Sequence, residues 1–248
     1  MLPDGNRLPL RNLKLTIEFD GTRYAGWQYQ PHHQTVQGEI ESAVAQILQK
    51  KVTVYGCGRT DAGVSARAYV ANVQVDSALS AERMKLAFNH FLPEDILVAS
   101  VEEAKPEFHA RHSALGKTYV YRLVRRKSPL RRRHAWEFWF SLDAEKMRKA
   151  AHLLEGAKDF RAFCQTRDKD GICHVRRLRV AASGDEVTVS VEGDRFLYKM
   201  VRRIVGALAA CGSGRLTQKD IRAALAGRPF QPFQTAPAHG LLLDSVEY

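Results

Sequence analysis

Near the start of the chain apolar and polar side chains alternate. Leu13, Leu15, Ile17 and Phe19 fall between Asn12, Lys14, Thr16 and Glu18, the period-two signature of a half-buried strand. The period then lengthens: Val36, Ile40, Ala43, Val44, Ile47 and Leu48 recur at helical spacing. Strands are predicted around 52–57 and 69–75. Ser80 then caps a helix carrying Leu86, Ala87 and Phe91, and Ile96, Val98 and Ser100 mark a closing strand. The resulting order, β-α-β-β-α-β, is the split βαβ arrangement.

The second half reads the same way. Lys117 to Val124 is a strand with Tyr119, Tyr121 and Leu123 on one face, and Asp143 caps a helix holding Met147, Ala150, Ala151 and Leu154. Strands follow at 174–181 and 186–192, then a helix bearing Leu197, Met200, Val201, Ile204, Val205 and Leu208. Thr217 and Asp220 resemble a capping box for a short helix ending at Gly227, and Leu241 to Tyr248 closes the chain as a strand. The pattern predicts an α+β chain of two ferredoxin-like or RRM-like lobes with antiparallel sheets. They would span residues 1–105 and 106–248, join near Lys105-Pro106, and hold a catalytic cleft between them. Element order repeats, residues do not. Sheets of this topology are common RNA platforms, but topology alone names no function.

Composition narrows the partner. Of the 248 residues 45% are hydrophobic and 26% charged, as in ordinary globular chains, but the net charge is +11. That excess points to a polyanion, most simply nucleic acid. Arg122, Arg125, Arg126, Lys127, Arg131, Arg132 and Arg133 lie in a segment without an acid. The run is either a solvated surface or a phosphate-binding one. Arg176, Arg177 and Arg179 form a second cluster, and Lys199, Arg202 and Arg203 a third. Tyr24, Trp27 and Tyr29, interleaved with Arg23 and Gln28, suit contact with unstacked bases. Alternatively, Trp27 anchors its own loop.

No apolar run approaches the ~20 residues that span a bilayer. Met1 to Asn6 lacks the apolar core of a secretory signal and reads as a flexible leader. Cys57, Cys164, Cys173 and Cys211 have neither Cys-x-x-Cys pairing nor a His-x-x-x-His beside them, which argues against zinc and fits reduced thiols in a cytoplasm. Methyl transfer would call for a glycine-rich cofactor loop after a parallel strand, and zinc-dependent deamination for His-x-Glu with Cys-x-x-Cys. Neither pattern occurs.

The segment Gly58-Arg59-Thr60-Asp61-Ala62-Gly63-Val64 sets one carboxylate on a glycine-flanked loop between two strands. Glycine frees the backbone for a tight turn, and loops on rigid scaffolds are common seats for catalytic groups. Arg59 favours the ionised form of Asp61 if the turn brings the charges together. The plainer alternative is an Asx-turn in which Asp61 only caps its loop. Arg202 beside an apolar helix face is either a snorkelling surface residue or a partner for Asp61. A non-catalytic RNA-binding protein would share the basic clusters and the aromatics.

These segments together resemble the tRNA pseudouridine synthase A family. The Asp61 loop is similar to its catalytic motif, and Asp20 to Gln28 resembles its N-terminal loop, followed by Thr35-Val36-Gln37-Gly38. Asn89 to Ile96, Phe108-His109-Ala110-Arg111, Lys117 to Tyr121, Phe196 to Gly206 and Gly240 to Leu243 resemble later segments in order. The resemblance implies a homodimeric cytoplasmic isomerase, without cofactor or metal, that converts uridine to pseudouridine in the tRNA anticodon stem-loop, at positions 38 to 40. It further implies Asp61 as the catalytic aspartate, Tyr119 stacking on the target base, Arg202 pairing with Asp61, and Arg59 binding the flipped nucleotide. Arg23, Trp27, Arg125, Arg126, Lys127 and Lys199 are the further RNA-contact candidates. Ser65, Tyr69 and Asn72 depart from the family pattern and are expected near the RNA surface, while Cys164 to Arg177 matches it only loosely.

Overall fold

The computed structural model describes residues 9–165 and 170–248, so the expected N-terminal leader lies outside the described residues. The chain packs as two compact units, one ending at Ala114 and rejoined by Tyr248, the other running from Leu115 to Glu247.

The first unit contains β1 (Arg11–Phe19), α1 (Val36–Leu48), β2 (Val54–Gly56), β3 (Ser65–Val75), α2 (Ala81–Phe91) and β4 (Ile96–Ala104). The sheet runs β4-β1-β3-β2 with every pairing antiparallel, the order a split βαβ unit requires. Leu13, Leu15 and Ile17 are fully buried, as the alternation predicts. Thr35 caps α1 by accepting from the Gly38 N–H, and Ser80 caps α2 by accepting from the Arg83 N–H, each satisfying a donor without an intrahelical partner. The buried face of α2 differs from the expected one. Met84 and Phe88, four residues apart, face the core, while Leu86 is 62% exposed and Phe91 40% exposed. A helix buries one stripe, and Leu86 lies off it.

The second unit contains β5 (Gly116–Val124), β6 (Trp136–Glu137), α3 (Ala144–His152), β7 (Gly156–Asp159), β8 (Ile172–Ser183), β9 (Glu186–Gly193), α4 (Met200–Gly212), α5 (Gln218–Leu225) and β10 (Leu241–Glu247). Within it β10, β5, β9 and β8 reproduce the antiparallel order of the first sheet. Two short strands are added: β7 lines up beside β8, and β6 pairs in parallel with the end of β5. Val187, Val189 and Val191 are fully buried, and α4 is buried along its length except at Arg202 and Arg203. Asp143 accepts from the Glu145 and Lys146 N–H groups, and the Thr217–Asp220 capping box is present. All four cysteines are reduced and buried. Among the described residues no helix is long and apolar enough to cross a membrane.

Candidate active site

Asp61 stands on the loop between β2 and β3, and the first unit grips that loop from both ends. At its start the Cys57 N–H donates to the Val70 carbonyl at 2.8 Å. The Tyr69 hydroxyl donates to the Gly58 carbonyl and accepts from the Gly58 N–H. Tyr69 is fully buried, with its ring stacked on Trp27 at 4.0 Å and tilted against Phe19. An aromatic pair of this kind adds about 0.5–1.5 kcal/mol beyond the area it buries. At the far end the Gly63 N–H donates to the Tyr24 carbonyl, and the Val64 N–H returns to the Asp61 carbonyl, both at 3.2 Å. β1 and β3 shift register between Ile17 and Phe19, at the root of the loop, as bulges beside functional loops often do.

The segment from Asp20 to Gln28 is the clamp on top. A Cβ on Gly21 would lie 1.9 Å from the Val64 carbonyl oxygen, and one on Gly26, whose φ is +94°, would lie 2.4 Å from that of Thr60. Only glycine allows so close a backbone approach. Asp20 accepts from the Thr22 N–H at 3.0 Å, and the Ser65 hydroxyl accepts from the Gly21 N–H at 3.0 Å. Tyr24 donates its hydroxyl to Asp95; burial first, then this acceptor, pushes its ionisation well above the usual phenol range. The result is a fixed turn that holds Asp61 half-buried between the exposed side chains of Arg59 and Ala62.

The clamp settles the role of Trp27. It is 2% exposed and stacked beneath the loop, so it is the anchor and its ring is unavailable to a base. The residues that depart from the family pattern also sit differently from expectation. Ser65, Tyr69 and Asn72 are buried and spend their polar atoms inside the unit. Asn72 accepts from the Ala110 N–H at 2.9 Å and donates to Asn12 at 3.0 Å, and Asn12 donates to the Lys105 and Phe108 carbonyls. This pair ties down the segment from 105 to 110 and offers nothing to RNA, because buried polar groups are held by the partners that satisfy them.

In the second unit Tyr119 is half-buried on β5, edge-on to Phe196 at 5.1 Å. Its neighbour on the same face, Tyr121, is buried and donates to the Pro237 carbonyl at 2.8 Å. Burial raises the Tyr121 ionisation, partly offset by the Arg202 guanidinium. Arg202 itself is half-buried on α4, and its Nε donates to the Ala236 carbonyl at 2.8 Å while the Ala236 N–H returns to the Arg202 carbonyl. The Nε bond fixes the direction of the guanidinium, against the reading of a solvent-seeking surface arginine. Lys199 precedes α4 in the left-handed conformation, φ +60°, with its ammonium 5.0 Å from the centre of the exposed Tyr198 ring.

The basic run from 122 to 133 is less free than its sequence implies. Asp185 and Glu186, at the β8–β9 turn, receive Arg126 and Arg131, and Arg122 lies 3.8 Å from Glu186. Arg125 donates to the Gly184 carbonyl. The two arginines hold the Asp185 carboxyl down at about 2. Such pairs on a surface are weak and screened by salt, so phosphates can displace them. Lys127, Arg132 and Arg133 have no ion pair among the described residues. Arg23 is exposed beside Asp95 at 3.7 Å. Among the described residues no cluster of His, Cys, Asp and Glu could hold a metal ion.

Each of the two units is α+β, the first carries the clamped Asp61 turn, and comparison with known proteins makes the class specific. Residues 15–113 and 150–248 match the family model described as tRNA pseudouridine synthase. The chain belongs to that family, a family of isomerases. It is 37% identical over 244 residues to tRNA pseudouridine synthase A 2 of Clostridium perfringens, covering 96% of this chain and 100% of that one. It is 40% identical over 245 residues to tRNA pseudouridine synthase A of Moorella thermoacetica, covering 95% and 99%. Its identity to tRNA pseudouridine synthase A of Rhodospirillum centenum is 39% over 247 residues, covering 96% and 100%. A chain of a Cbf5-Nop10-Gar1 complex is similar at 13% identity and a TM-score of 0.34, over 79% of this chain and 54% of that one, a likeness too slight to carry an argument.

Proposed function

We propose that this chain isomerises uridine to pseudouridine in the anticodon stem-loop of tRNA, as a cytoplasmic homodimer of two-lobed chains whose first lobe extends past the expected Lys105-Pro106 junction to Ala114. The net reaction breaks the bond from C1′ to N1, turns the uracil, joins C1′ to C5 and moves the C5 proton to N1, so atoms and electrons balance within the nucleotide. A stacked uridine cannot be reached in place, so the nucleotide flips out first. Asp61 loosens the glycosidic bond, either as a nucleophile at C1′ or C6 or as a base on the sugar, and Arg202 helps to bind the substrate. Tyr119 stacks on the uracil and keeps it from escaping while it is detached. Arg59, exposed at the edge of the turn, holds the flipped nucleotide. Arg23, Arg125, Arg126, Lys127 and Lys199 bind phosphates of the stem-loop.

The observation that carries this reading is the clamp on the Asp61 turn. An Asx-turn would not need a second loop pressed onto it through two glycines, a stacked Trp–Tyr pair beneath it and hydrogen bonds at both ends. That investment suits a carboxylate whose position matters to chemistry. The test is to incubate the protein with unmodified tRNA transcripts and map pseudouridine base by base. New pseudouridine in the anticodon arm is expected. Tight tRNA binding with no pseudouridine would return the chain to the RNA-binding proteins.

A further inference from the structure

A pocket of about 290 Å³ opens in the first unit beside the Asp61 turn, lined by Gly58 and Arg59 of that turn, the β2 edge with Tyr55, and His109, Arg111 and His112. Its volume is near the lower end for small-ligand sites. No carboxylate lines it. The guanidinium groups of Arg59 and Arg111 are exposed and have no ion pair or hydrogen bond among the described residues, unlike the arginines held by Asp185. Three rings line the same pocket: Tyr55 is 5.3 Å from His109 and tilted 46° to it, and His109 is 4.4 Å from His112 and tilted 52° to it, centroid to centroid. Tyr55 is 46% exposed. The Nδ1 of His109 accepts from the Arg111 N–H at 3.1 Å, so in the neutral ring the proton sits on Nε2 as a donor. Burial, with His112 close by, lowers the His109 ionisation and keeps that neutral ring in place.

Exposed ring surface and unpaired guanidinium groups lining one pocket suit a nucleotide, its base on a ring and its phosphate on the arginines. We infer that this pocket seats a second, unstacked nucleotide of the RNA, adjoining the one that reacts at Asp61, with the base against Tyr55 and His109 and its phosphodiester between Arg59 and Arg111. The inference rests on the reading of tRNA as substrate. It gives Phe108-His109-Ala110-Arg111 a task, and it gives Asn12 and Asn72 one as positioning residues, since they hold the segment carrying His109.

The experiment measures tRNA affinity against salt for the wild type, Arg111→Gln, Arg111→Lys and Tyr55→Ala, all changes at exposed positions, with a thermal melt confirming that each variant is folded. Arg111→Gln is expected to flatten the slope of log affinity against log salt by about 0.7, the share of one single-stranded phosphate, and Arg111→Lys to keep that slope. Tyr55→Ala is expected to weaken binding about tenfold at an unchanged slope, within the range for one lost base stack. An unchanged slope in Arg111→Gln, or affinity within twofold of wild type in Tyr55→Ala, overturns the pocket. Cytidine 5′-monophosphate provides the second arm. If it binds at the pocket while the variants hold tRNA as tightly as the wild type, the site takes a free nucleotide and the RNA assignment falls. Pseudouridine formation in the wild type separates the two readings. A wild type that binds with this pattern but forms none loses the catalytic reading and keeps the pocket, and one that forms pseudouridine with indifferent variants does the reverse.

Discussion

At the scale of single residues, the site depends on what surrounds the acid as much as on the acid. Asp61→Asn keeps the size of the side chain and removes its charge and basicity. Pseudouridine formation is expected to fall by at least about 10²–10⁴-fold, the range for loss of a positioned acid–base group, while tRNA binding persists; a single-turnover assay with a parallel binding measurement checks both. Gly26 is a sharper probe of the clamp, because its φ of +94° and the 2.4 Å approach to Thr60 leave a methyl group no space. Gly26→Ala is expected to cost about 1–3 kcal/mol in unfolding free energy and to lower turnover by moving the turn, measured by denaturant unfolding and by the same assay. The glycine-flanked loop that carries Arg59 and Asp61 was legible as a turn between two strands because its residues share one short segment. Trp27 was left open between two roles, and only the 4.0 Å stack on Tyr69 decides it. Tyr69, Ser65 and Asn72 were misplaced toward the surface because a polar side chain on a strand reads as solvent-facing until its buried partner is known.

At the scale of elements, strong periodicity was readable and weak periodicity was not. β1, α1 and β9 carry long, regular apolar patterns and lie where the patterns place them, and α4 does so from Met200, leaving Leu197 ahead of the helix. β6 and β7 do not: Trp136-Glu137 is too short to alternate, and Gly156-Ala157-Lys158-Asp159 is poor in β-formers. On α2 the expected apolar positions were Leu86, Ala87 and Phe91, whereas the pair at helical spacing, Met84 and Phe88, is the one buried. The basic run hid its counter-charges because Asp185 lies 59 residues beyond Arg126 and 54 beyond Arg131. That turn makes a pH-dependent contribution. The Asp185 carboxyl sits at about 2, below its ordinary 3.8, so the pairing stabilises the fold above the ordinary value and fades as pH falls toward 2. Thermal melts are expected to show a shallow loss of stability across that window, smaller in Asp185→Asn because Asp143, Asp159, Asp170 and Asp220 are also lowered, and suppressed by salt.

At the scale of the whole molecule, the net charge of +11 is the largest single feature, and its effect is on binding. The logarithm of tRNA affinity is expected to fall linearly with the logarithm of salt, with a slope of about −0.9 for each duplex phosphate neutralised; filter binding across a salt series measures it, and a flat response would remove RNA contact from the basic clusters. One further property of the fold concerns its sulfur atoms. Because Cys57, Cys164, Cys173 and Cys211 are all interior, with burial lifting the Cys211 thiol to about 11, the native protein should resist alkylating reagents. A cysteine engineered at exposed Arg111 would then be the preferred labelling position, and a fluorophore coupled there would report RNA arriving in real time.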